Sequence, residues 1–182
     1  NRNEWKQVAD ELNIALYAGF EDGDWIRGIF YDPTTDIDFT YTKHTTAGKL
    51  NLEREGWTPK NELKTTDFRG VRIGTTICHD QYISTLMGYE GLAGASLLVN
   101  LSARPVVPKK WAEVLQARAI ENAAYVVCTM HGTEPDGTSK QGNKAHVFAF
   151  DPFGEPVELI ELATGKERHF SETTPDNLYS FC

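Results

Sequence analysis

Apolar and polar positions alternate in two distinct rhythms along this chain, and the changes between them mark its elements. Trp5, Val8, Ala9 and Leu12 recur at helical spacing, which predicts a short helix over residues 3–12. Ile14 to Phe20 then reads as a strand, closed by Glu21-Asp-Gly-Asp24, and Trp25 to Tyr31 as a second. Asp32 to Asp36 is a turn rich in breakers, and Ile37 to Thr42 alternates again, so two antiparallel hairpins are expected. Residues 44–66 lack periodicity and read as a long loop, a length that is more often functional than accidental.

Beyond that loop the order of elements changes. Val71 to Ile77 is a β-branched strand that runs straight into Cys78. Leu86 to Ala93 suits a helix stopped by Gly94, and Ser96 to Leu101 a buried strand. Trp111 to Tyr125 is the clearest helix, with Trp111, Val114, Leu115, Ala119 and Asn122 near one face. Tyr125 to Met130 and His146 to Phe150 are further strands, the latter followed by the turn Asp151-Pro-Phe-Gly154. Strands alternating with helices predict an α/β sheet with crossover connections. No repeat, low-complexity tract or linker divides the 182 residues, so residues 1–182 are read as a single domain.

Composition narrows the class of function. The formal net charge of −8 argues against a general nucleic-acid binder, which needs clustered Lys and Arg. No apolar run approaches the roughly 20 residues of a membrane helix. Cys78, Cys128 and Cys182 are too few and too unevenly placed for a disulfide framework, and fit free thiols in a reducing, cytoplasmic setting. His79, His131 and Cys128 match no metal-ligand spacing, and the sequence carries no phosphate-binding glycine loop and no Gly-x-Ser-x-Gly elbow. Neither a metal nor a cofactor is therefore expected.

The chemistry centres on Cys78. A side chain at the carboxyl end of a strand can project into the crevice where open α/β sheets bind ligands. A thiol there becomes a nucleophile when a nearby cation or helix N-terminus lowers its pKa. On pattern alone, a cysteine after a strand is more often a small buried hydrophobe.

Six segments, in order, resemble the nitrilase superfamily of carbon–nitrogen hydrolases. They are Tyr41-Thr-Lys-His44, Glu53 to Pro59, Gly74 to Asp80, Leu97 to Ser102, Gln116-Ala-Arg-Ala-Ile-Glu-Asn122 and Asp151 to Gly154. The resemblance implies an α-β-β-α four-layer sandwich, here incomplete at the N-terminus, with residues 155–182 a poorly matched C-terminal extension. It also implies a roster of residues. Cys78 would be the nucleophile that forms a thioester, Lys43 the cation that stabilises thiolate and oxyanion, and Glu53 an additional carboxylate that positions lysine or substrate. The N–H of His79 would serve as an oxyanion donor, Asp80 would fix the local backbone, and Arg118 with Glu121 would form a supporting polar network.

The implied substrate is a small linear amide or carbamoyl compound, hydrolysed with release of ammonia. The implied assembly is a homodimer or higher homo-oligomer, with neither nucleic-acid nor membrane partner. Two departures keep alternatives open. The family's general-base glutamate lies before the region matched by Asn1, and Glu4, Glu11 and Glu21 do not correspond to it, so the sequence is expected to be a fragment or to draw its missing elements from another segment. Asp80 to Thr85 replaces the family's aromatic–Pro–Glu stretch. An inactive nitrilase-like binding module, or an acyltransferase using the same thioester, therefore stands beside the hydrolase.

Overall fold

The computed structural model describes residues 1–23, 25–45, 63–103, 108–130, 146–157, 159–161 and 166–168. Helix α1 (Arg2–Leu12) opens on a capping box, Asn1 Oδ1 accepting from the N–H groups of Asn3 and Glu4, and closes on Asn13 at φ 52°. Strands β1 (Leu16–Asp22), β2 (Trp25–Tyr31) and β3 (Asp38–Thr42) form an antiparallel sheet in the order β1-β2-β3. These are the two hairpins read from the alternation, although β1 starts two residues later than its apolar pattern because Ile14 N–H closes the helix end on Ala9 O.

The second sheet has the order β4-β5-β6-β7-β8, from β4 (Thr66–Phe68), β5 (Val71–Ile77), β6 (Leu97–Ser102), β7 (Tyr125–Met130) and β8 (His146–Phe150). Strands β5, β6 and β7 are parallel, as the strand–helix order requires, and β4 and β8 flank them antiparallel. The crossovers are α2 (Ser84–Leu92) and α3 (Pro108–Asn122). Helix α3 begins and ends three residues earlier than its apolar stripe predicts. Ala123 adopts φ 48° and stops it, leaving Ala124 buried on the way into β7. A short hairpin, β9 (Leu159–Glu161) with β10 (Lys166–Arg168), lies in the segment read as a poorly matched extension.

Two apolar clusters hold these layers together. Phe30 and Tyr41 from the first sheet pack with Ile73, Ile77, Val99 and Leu101 from the second. On the other face of the second sheet, Leu98, Val126, Cys128 and Phe148 pack under Met87 of α2 and Trp111, Leu115 and Ala119 of α3. Helix α1 covers the first sheet through Ala9, so the layering is helix, sheet, sheet, helix. The sheets come very close at Gly28, where a Cβ would lie 2.9 Å from Leu101 Cδ1. Among the described residues no helix is long and apolar enough to cross a membrane.

Candidate active site

Cys78 follows β5 directly and starts a 3-10 turn, Cys78–Tyr82. Its φ is 52°, a left-handed conformation that costs a residue with a Cβ about 1–3 kcal/mol and persists only where its surroundings enforce it. Two buried side chains supply that enforcement.

The first is Asp80, which is fully buried. Its Oδ2 accepts from Ile77 N–H (3.1 Å), Tyr41 O–H (2.9 Å) and His44 N–H (3.3 Å). Its Oδ1 accepts from Thr45 N–H (2.8 Å) and Thr45 O–H (2.7 Å). One carboxylate thus ties the turn after β5 to the segment after β3. Because Tyr41 donates to Asp80, the 2.9 Å contact between Tyr41 and His44 Nδ1 makes that ring nitrogen the donor. Burial, and then the charge of Asp80, push the Tyr41 phenol well above its usual range, so it stays protonated and keeps donating.

Lys43 lies inside this clamp. It is only 3% exposed, and its N–H donates to Ile26 O at 2.9 Å. Its ammonium acts electrostatically on the Cys78 thiol. The Asp80 hydrogen bonds thus tie the segment that carries Lys43 to the turn that carries Cys78.

The second enforcing side chain is Asn100 of β6, also fully buried, whose amide donates to Cys78 O (3.3 Å) and to Thr76 Oγ1 (2.9 Å). Nothing in the sequence marked it beyond its place in a resembling segment.

The electrostatics of Cys78 depart from the sequence expectation. Burial raises the thiol, while the Lys43 charge and hydrogen bonds from the backbone of His79 and Ala103 lower it; the Asp80 charge raises it further, and the balance lies above the ordinary value. Desolvation outweighs the cation, so a reaction at this sulfur would call for a base.

The other sequence-derived residues fall as follows. His79 presents its backbone to the Cys78 sulfur, and its ring lies 3.5 Å from Thr45 Oγ1. Arg118 is 9% exposed, donates from Nε to Gln81 O at 2.9 Å and pairs with Glu121, so it braces the 3-10 turn from α3. Glu53 and His131 lie outside the described residues. Among the described residues no group of three or more His, Cys, Asp or Glu side chains could hold a metal ion. Cys128, in the core of the second sheet, is fully buried and pushed up to about 12, chiefly by desolvation, which makes it an inert structural thiol.

Burial also explains a third carboxyl group nearby. The pairing of β4 with β5 ends at Ile73, which frees the N–H groups of Thr75 and Ile77 along that edge. Glu90 Oε1 accepts the first at 2.9 Å, and Asp80 the second. A Cβ on Gly74 would lie 2.6 Å from Glu90 Oε2, so this position must be glycine for α2 to deliver its carboxyl group.

Comparison with known proteins agrees with this architecture. The (R)-stereoselective amidase of a Pseudomonas species is 27% identical over 180 residues, covering 94% of this chain and 62% of the relative. The hydrolase of the agr operon of Staphylococcus lugdunensis is 32% identical over 96 residues, 52% of this chain and 39% of its own length. Among solved structures, an amidase from Nesterenkonia sp. superposes with a TM-score of 0.72 at 19% identity, covering 86% of this chain and 60% of that one. The carbon–nitrogen hydrolase of Helicobacter pylori gives 0.69 at 18% identity, with coverages of 86% and 61%. The chain spans less than two thirds of the length of each of these relatives. The profile of the carbon–nitrogen hydrolase family matches residues 3–157, and the chain belongs to that family.

Proposed function

We propose that Cys78 is the nucleophile of a hydrolase that cleaves a non-peptide C–N bond in a small linear amide or carbamoyl compound. The observation that supports this reading is the Asp80 clamp, which ties the segment carrying the buried Lys43 to the strained turn of Cys78. The Cys78 sulfur attacks the carbonyl carbon while its proton passes to a base from outside the described residues. The resulting oxyanion is stabilised by the Lys43 ammonium and the His79 N–H, arranged before the charge develops. Nitrogen leaves as ammonia after protonation, and water hydrolyses the thioester to a carboxylic acid and the free thiol. Glu53 is proposed to orient the lysine or the substrate. In a mutant of the Nesterenkonia amidase the active-site cysteine undergoes Michael addition of acrylamide, so that relative carries a nucleophilic cysteine, the residue type proposed here for Cys78.

The test is mass spectrometry of the intact protein incubated with short-chain amides. An acyl adduct on the Cys78 peptide, absent from Cys78→Ala, is expected, with turnover lost in Cys78→Ala. In Lys43→Met turnover falls by about 100-fold or more, the scale of losing one oxyanion donor. A folded protein that never acylates would leave the inactive binding module, the reading motivated by the unmatched general-base glutamate and the altered Asp80 to Thr85 segment. Adduct transfer to an added amine in preference to water would identify an acyltransferase.

A further inference from the structure

Behind the proposed nucleophile, three side chains in strict register cross the parallel strands. Thr76 pairs with Asn100, and Asn100 with Cys128, on the face of the sheet that α2 and α3 cover. Asn100 is the hub. Its Nδ2 donates to Thr76 Oγ1 and Cys78 O. Its Oδ1 accepts from Ser102 Oγ (2.6 Å) and from Cys128 Sγ (3.3 Å). This set determines the orientation of the amide: turned over, it would set an oxygen against the Cys78 carbonyl.

The consequence reaches the thiol by two routes. The Cys78 carbonyl is pinned from behind, so the left-handed backbone that aims the His79 N–H at the sulfur cannot relax. Ser102 is tied at the end of β6, and the next residue, Ala103, offers its backbone to the same sulfur.

We propose that Asn100 is a positioning residue for Cys78, holding the nucleophile's peptide and the end of β6 in the geometry that presents two backbone donors to the sulfur. This rests on Cys78 being the nucleophile, and it is tested without any substrate. The rate of Cys78 alkylation by iodoacetamide is followed by peptide-resolved mass spectrometry across neutral and alkaline pH, in the wild type and in Asn100→Asp.

The aspartate keeps the shape and still accepts from Ser102 and Cys128. Protonated, it can donate to Cys78 O; ionised, it sets a lone pair against that carbonyl. The variant is therefore expected to approach the wild-type rate at the acid end and to fall about tenfold below it as pH rises, the rate equivalent of one hydrogen bond. A folded variant that still alkylates at the wild-type rate at the alkaline end, where the aspartate is ionised, overturns the proposal. Should Asn100→Asp not fold, Asn100→Ser is too short to reach the carbonyl. It is expected to slow alkylation at every pH, and unchanged alkylation in that variant overturns the proposal equally. Absence of a thioester in the wild type would remove the hydrolase reading and leave this comparison intact.

Discussion

Glu90 shows how a single buried side chain can carry a measurable pH dependence. It is 1% exposed, and burial pushes its carboxyl group up to about 9 from an ordinary 4.5, with the Asp80 charge adding to the rise and the Thr75 N–H opposing it. Between those two values the folded protein holds a proton that the unfolded chain has released, so folding stability falls as pH rises. The contribution is complete below pH 4.5 and is lost as pH climbs through about 9. The slope is at most about 1.4 kcal/mol per pH unit. Glu90→Gln keeps an acceptor for Thr75 N–H and never ionises. Thermal unfolding of this variant is expected to lose most of that slope and to occur at a higher temperature than wild type at alkaline pH. Identical pH profiles would show that Glu90 is charged in the folded state.

Among the elements, the Asp80 clamp does what no strand pairing does, since β3 and β5 belong to different sheets. Replacing Asp80 with Ala strands the buried Ile77 N–H and Tyr41 hydroxyl, each costing about 1–3 kcal/mol when unmet, and also the part-buried N–H groups of His44 and Thr45. Urea denaturation is expected to report a loss of at least about 3 kcal/mol for Asp80→Ala, and a smaller loss for Asp80→Asn, which keeps one acceptor. A loss below about 1 kcal/mol would mean that water replaces the clamp. This level also shows what the sequence discloses. Strands β2, β5, β7 and β8 coincide with their apolar and β-branched runs because β7 buries one full face (Val126, Cys128, Met130) and the other three each bury consecutive residues on both faces. Strand β4 and the hairpin β9–β10 have three residues per strand, too few for a period to register. Cys78 and Lys43 are legible through resembling segments. The roles of Asn100, which lies in such a segment, and of Glu90 are not, since their partners are set by the register of three strands and by the point where β4 stops pairing.

At the scale of the whole molecule, the helix layer over the second sheet leaves apolar side chains uncovered. Leu92 is 90% exposed, Phe153 83%, Ile120 54% and Tyr125 50%. Gly91 abuts Asn122, and Gly154 abuts Ile120, which brings the ends of α2 and α3 and the turn after β8 to one corner. Large apolar groups gathered on a surface mark an interaction site more often than chance exposure does. An exposed apolar patch of this kind can be covered by a second copy in a two-fold homodimer, the assembly that the family resemblance implies. The proposal is that α2 and α3 form the subunit contact, in which case the bracing of the 3-10 turn by Arg118 couples that contact to Cys78. Sedimentation of the intact protein at micromolar concentration is then expected to show a dimer. Leu92→Glu, which buries an unpaired charge in the contact, should shift it to monomer by weakening association at least about 100-fold. A wild type that sediments as a monomer would refute the contact, as would a Leu92→Glu variant that stays dimeric. Monomeric Leu92→Glu retaining full acylation at Cys78 would show that the contact serves assembly alone.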